Sequence, residues 1–311
     1  MNDKDQNKDK HPDRAGLLKL ASIASVITAG ILIVAKVIAW YLTGSVSLLA
    51  SLVDSVMDSI ASLINLFAIR YSLQPADEQH RFGHGKAEPL AGLAQAAFIA
   101  GSAIFLIFHA IDRLRFDHQI EQVGVGLGVM VFAIAMTIVL LAIQRYVIQK
   151  TNSTAIRADS LHYVTDLLTN LSILVALYLA SLGLTWADPV FAIAVAIYIF
   201  YSAFVIGHEA FQQLMDRELP DEVLEKIQAT AMRHPEVTGT HETRTRQSGQ
   251  TKFVQLHLEL DENMSLKRAH EIADIVEREI MEFLPGAEVM IHQDPTDDSD
   301  KHKPPGWDLQ S

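Results

Sequence analysis

The sequence predicts an α-helical membrane protein with six transmembrane helices, followed by a cytoplasmic α+β domain in the order αββαβ. Three observations predict it. Six apolar runs of about 20 residues or more follow one another between residues 16 and 211, each long enough to cross a bilayer. Half of the 311 residues are hydrophobic, yet mean hydropathy is only +0.19, because an apolar front is averaged with a polar back third. Beyond residue 211 the apolar positions recur with the periods of amphipathic helices and alternating strands.

Residues 1–15 are charged and poor in apolar side chains, and are expected to form a disordered cytoplasmic tail. They are not read as a signal peptide, because no small-residue cleavage site follows the first apolar run. The spans are expected near 16–42, 45–73, 87–114, 123–148, 153–182 and 189–211, within a membrane domain of residues 16–213. Eleven Lys and Arg flank one side of this bundle: Lys4, Lys8, Lys10, Arg14, Lys19, Arg70, Arg81, Lys86, Arg145, Lys150 and Arg157. Two, Arg113 and Arg115, flank the other, so both termini are expected in the cytoplasm. Lys36, about six residues from the outer end of its span, is read as snorkelling to the interface. Gly124, Gly126 and Gly128 superficially resemble a nucleotide loop, but they open a span with no preceding strand.

Residues 214–295 are expected to form the α+β domain. A helix over 220–234 places Val223, Ile227 and Met232 on one side. Segments 240–246 and 252–260 alternate with period two and join through Ser248-Gly249 as a hairpin. Ser265 caps a helix reaching about residue 283, Pro285-Gly286 ends it, and 287–292 reads as a last strand. The tail 296–311, rich in Asp and Pro, is expected to be disordered.

Composition narrows the function. A net charge of −12 argues against a nucleic-acid partner. With no cysteine, disulfides and thiolate metal sites are excluded, so any metal must use His and carboxylates. Thirteen histidines are available, and several of them cluster.

Asp54 and Asp58 stand four residues apart inside the second span, on one helix face about a turn apart. A charged side chain at mid-membrane costs at least about 2.5–3.5 kcal/mol, so such a pair reads as a cation or proton site. His162 and Asp166 repeat the spacing in the fifth span. Asp54 should lie ~13 Å below the outer end of its helix at 1.5 Å per residue, and Asp166 ~15–20 Å in from the cytoplasmic end, so both pairs reach the midplane and can meet. Two Asp plus His and Asp make four N/O ligands, a set suited to tetrahedral Zn²⁺. A polar network joining helices would use the same residue types, but three carboxylates and one imidazole in lipid are too many negatives without a cation. Ser51, Ser55, Ser62 and Asn65 flank one pair, and Asp159, Thr169 and Asn170 the other. These stripes could line a water-filled path or simply pack helices. Three carboxylates and no thiolate also admit Fe²⁺, Mn²⁺ and Cd²⁺.

A second cluster, Asp77, His80 and His84, lies in a loop and could form a surface metal site or be solvated. A third lies in the soluble domain: His241, His257, His270, His292 and Asp294. His257 points away from the face of Val254, Leu256, Leu258 and Leu260, and His292 and Asp294 share a face at i,i+2. Histidines from separate elements closing on one surface suggest a metal site with more than one ion.

In this order, on six spans and a carboxyl-terminal domain, the DxxxD at Asp54 and Asp58, the HxxxD at His162 and Asp166 and the Asp77, His80, His84 loop resemble the cation diffusion facilitator family, from about residue 15 to 294. The resemblance implies a homodimeric proton-coupled antiporter of the cell inner membrane that moves divalent metal out of the cytoplasm. It implies a transport site at Asp54, Asp58, His162 and Asp166 and a loop site at Asp77, His80 and His84. It further implies a binuclear structural site in a metallochaperone-like domain at His241, His257, His270, His292 and Asp294. Two other readings compete. A membrane metalloenzyme would need an open metal position and a general base, and no HExxH occurs. A metal sensor would need an output domain, and none is recognisable.

Overall fold

The computed structural model describes residues 12–43, 46–115, 124–181 and 187–296. The chain divides into two compact units, Pro12–Leu214 and a second beginning at Met215. The first is all helical: α1 (Pro12–Thr43), α2 (Val46–Ser72), α3 (Ala87–Arg115), α4 (Gly124–Thr151), α5 (Thr154–Ser181) and α6 (Ala187–Leu214). α1 starts at Pro12, inside the stretch expected to be a tail. Proline is at home in a first turn, where its missing N–H has no intrahelical partner to lose. The rest of both expected tails lies outside the described residues, apart from Thr296.

Among the described residues, five helices are long and apolar enough to cross a membrane: α1, α2, α3, α4 and α6. α5 is as long as its neighbours, but Arg157, Asp159, His162 and Asp166 interrupt its apolar character. α4 and α5 meet at a tight joint where Asn152 takes a positive φ of 50°. Ser153 caps α5 there, its Oγ accepting from the Ile156 N–H at 3.2 Å. Small residues bring α3 and α6 together: Ala96 and Ala103 meet Ala203 in a cluster with Ile99, Ile199 and Ile206. Large apolar side chains such as Phe67, Phe105, Tyr201 and Phe204 point outward, the arrangement expected where the solvent is lipid.

A polar network ties the bundle from within. Asp159 of α5 is fully buried. Its carboxylate accepts from Ser25 Oγ of α1 at 2.6 Å, Gln144 Nε2 of α4 at 2.8 Å and Gln95 Nε2 of α3 at 3.3 Å. Tyr163, also buried, donates to the Ser25 carbonyl at 3.2 Å and lies 3.0 Å from Ser62 Oγ of α2. Asp159 and Ser62 therefore join helices, the second of the two uses open to them from sequence.

The second unit runs α7 (Asp221–Ala231), β1 (Gly239–Ser248), β2 (Thr251–Leu260), α8 (Leu266–Phe283) and β3 (Ala287–Pro295). β1 pairs antiparallel with β2, and β2 pairs parallel with β3 through the α8 crossover. Ser265 caps α8 by accepting from the Arg268 N–H at 3.3 Å. Ile272, Val276 and Ile280 of α8 and Ile227 of α7 pack with Val254, Leu256, Leu258 and Leu260 in one core. Both helices thus cover one sheet face and leave the other, with His257, uncovered. Period-two reading missed one feature of β1. The register shifts between His241 and Arg244, and Glu242 takes a positive φ of 46°. This bulge adds one residue and exchanges the faces of β1 beyond it.

Candidate metal centres

The membrane-unit centre is assembled by two helices. α2 carries Asp58 and α5 carries His162 and Asp166, one turn apart on one face. His162 Nε2 lies 3.0 Å from Asp58 Oδ1 and 3.8 Å from Asp166 Oδ2. One ligand atom from each of the three lies within 4.8 Å of the other two. The Nε2 is buried between these two carboxylates. An imidazole nitrogen held between two carboxylates suits a donor set aimed at a cation. Asp54 stands one turn before Asp58 on α2, and its side chain lies outside the described residues.

Lys36 departs from its expected place. Its Nζ donates to the Ser51 carbonyl at 3.0 Å and to Ser55 Oγ at 2.6 Å, both on α2. It is held between helices, not extended to the interface. The missed signal was direction, since a helical side chain leans toward its own N-terminus. For Lys36 that is away from the nearby end of α1.

The loop centre is built by a turn. Asp77 Oδ1 accepts from the backbone N–H groups of His80 at 2.6 Å and Gln79 at 2.9 Å. Those bonds, the His80 N–H foremost, hold the Asp77 carboxyl below its ordinary range. Gly83, at φ 76°, supplies the left-handed residue that turns the chain back so that His84 faces Asp77. His80 Nδ1 lies 3.3 Å from Asp77 Oδ1, and His84 Nε2 lies 3.3 Å from Asp77 Oδ2. His84 is buried and its Nδ1 lacks a hydrogen-bond partner among the described residues, whereas Asp77 and His80 are exposed.

The third centre lies on the uncovered sheet face. Pairing places His241 opposite His257 and His257 opposite His292, a row of three imidazoles across three strands. Ring centroids are 5.0 Å apart for the first pair and 4.7 Å for the second. The buried Asp294 serves all three. Its Oδ2 lies 3.2 Å from His241 Nε2 and 2.7 Å from His257 Nδ1, and its Oδ1 lies 3.1 Å from His292 Nε2. Two imidazoles on one oxygen and one on the other fit a carboxylate shared between two divalent ions. His270 does not join this row within the chain: it is exposed on α8, 3.7 Å from Asp274. Sequence reasoning missed Glu259, whose Oε1 lies 3.1 Å from His241 Nδ1. Its position two residues after His257, on the same strand face, was the available signal.

A family model described as the cation efflux transmembrane domain matches residues 22–215, and one described as the cation efflux protein cytoplasmic domain matches residues 219–296. The chain is 49% identical over 298 residues to the cation-efflux pump FieF of Yersinia enterocolitica, covering 96% of this chain and 99% of that protein. The same identity and coverage hold for the cation-efflux pump FieF of Serratia proteamaculans. Among solved structures, the metal-bound C-terminal domain of the CzcD transporter from Thermotoga maritima is similar at 30% identity with a TM-score of 0.25, covering 25% of this chain and 93% of that one.

Proposed function

The chain belongs to the cation efflux family and is a multi-pass membrane transporter, and on that premise we propose that it is a proton-coupled antiporter exporting divalent metal from the cytoplasm. One observation carries the reading: Asp58, His162 and Asp166 bring their ligand atoms within 4.8 Å of one another inside an apolar helical bundle. With Asp54 from the preceding turn they supply the four donors of a tetrahedral cation site. Zinc is the cargo best matched to an imidazole with carboxylates. Ferrous iron, cadmium and manganese are admitted by the three carboxylates. These ligands hold metal only when deprotonated, so metal and protons compete for one site. Alternating its exposure between the two sides exchanges them. The chain works as a homodimer in the inner membrane with both termini in the cytoplasm, in keeping with the distribution of its Lys and Arg.

The other two centres fit resident metal. Asp77, His80 and His84 supply one carboxylate and two imidazoles. His241, His257, His292 and Asp294 supply a set for two ions. Metal bound there would cross-link strands and offset the charge of an acidic domain. The test is zinc uptake by proteoliposomes, with and without a pH gradient. The wild type should transport faster with the gradient, and Asp58→Ala should abolish transport while remaining folded and dimeric. Undiminished flux through correctly inserted Asp58→Ala would overturn the reading.

A further inference from the structure

We propose that Lys36 is a fixed counter-charge to the membrane cation site, an ammonium that holds metal affinity down and so speeds metal release. The proposal rests on the reading of Asp54, Asp58, His162 and Asp166 as the transport site. Lys36 is part-buried on α1, seven residues before the helix ends at Thr43, about 10 Å at 1.5 Å per residue. The ammonium does not run toward that end but donates to the Ser51 carbonyl and the buried Ser55 hydroxyl of α2. Those two residues delimit the turn that contains Asp54. Asp58 follows Ser55 by three residues, a spacing that puts the two about 5–6 Å apart on one face.

A primary ammonium inside an apolar bundle is costly unless it is compensated. Carboxylates of the adjoining turns compensate it well. The same placement opposes metal. A divalent ion among the ligands and the ammonium repel each other, whereas the ligands attract both. Without metal, Lys36 relieves the repulsion among three carboxylates. With metal bound, it favours departure. At separations of about 6–10 Å and an effective dielectric near 20, one unit charge is enough to shift a binding constant by roughly tenfold or more.

The test is initial-rate zinc uptake against zinc concentration, at fixed pH, for the full-length chain in proteoliposomes. Lys36→Gln keeps a donor for Ser51 and Ser55 but loses the charge. Its KM should fall about tenfold and its kcat should fall with it, because metal binds more tightly and leaves more slowly. Lys36→Arg keeps the charge and should behave as the wild type. Lys36→Met is a second uncharged variant, suited to an apolar span, and the same split is required of whichever uncharged variant runs as a single species. An unchanged or raised KM in that variant, or Lys36→Arg behaving like Lys36→Gln, overturns the proposal. Asp58→Ala is measured alongside. If it abolishes transport while loss of the lysine charge leaves KM unmoved, the site stands and the counter-charge does not. If Asp58→Ala transports normally, the site and the counter-charge are overturned together.

Discussion

Gly239 carries no side chain, and Glu259 uses the space. The two residues face each other across β1 and β2, and a Cβ on residue 239 would overlap the Glu259 carboxylate. That carboxylate meets His241 Nδ1 and thereby leaves Nε2 turned to Asp294. A carboxylate behind a metal-binding imidazole fixes its tautomer and ring orientation, and losing such support typically costs 10–100-fold in affinity. Gly239→Ala should therefore displace Glu259 and weaken zinc binding at the sheet centre by about tenfold. The measurement is zinc titration of the full-length chain carrying Asp58→Ala, so that the membrane centre does not contribute; an unaltered isotherm would remove Glu259 from the centre. At this scale the sequence was readable where spacing and direction agree. His162 and Asp166 at i,i+4 and His292 and Asp294 at i,i+2 fall on common faces by geometry alone. Lys36 and Glu259 left a partial signal, a side-chain direction and an i,i+2 face, but the groups each one meets belong to a neighbouring element that spacing within its own does not reveal.

The elements follow from the same physics with one addition. Apolar length locates the spans, and Ser265 and the Pro285-Gly286 break bound α8. α5 shows where the hydrophobic signal weakens, for its polar residues are the ones that meet other helices. Asp159 is such a tie, with donors from α1, α3 and α4 on one carboxylate. Asp159→Ala would strand those donors in an apolar interior, at about 1–3 kcal/mol for each group left without a partner. A lowered thermal midpoint of the detergent-solubilised protein is expected, with partial recovery in Asp159→Asn, which keeps one acceptor oxygen. Equal midpoints for all three proteins would mean that the network does not hold the bundle. The bulge in β1 was hidden for a related reason. An extra residue leaves the sequence still alternating on either side of Glu242, and only pairing with β2 reveals that Arg244 and Arg246 share a face with Gln255 and Phe253.

At the scale of the whole molecule, each of the two units contains centres of its own, and the chain around them is acidic, with a net charge of −12. Two such chains repel when they associate, and divalent cations held at their surfaces reduce that repulsion. The sheet centre is the part of the second unit suited to this role, because the three imidazoles cross all three strands on the face that its helices leave uncovered. Asp294 alone cannot hold an ion there against water, whereas Asp294 with His241, His257 and His292 supplies the nitrogen donors that zinc favours. Association should therefore be metal-linked: anything that binds the assembled form more tightly than the separated one stabilises it by mass action. Sedimentation of the full-length protein in detergent should give a tighter dimer in zinc than after chelation. Replacing His257 and His292 together by Ala removes the centre of the row and its most exposed member, leaving His241 beside two carboxylates. That variant should retain whatever association the membrane unit provides and lose the increment due to zinc, so that its dimer strength no longer responds to chelator. A wild-type dimer equally strong with and without metal would place association wholly outside the sheet centre.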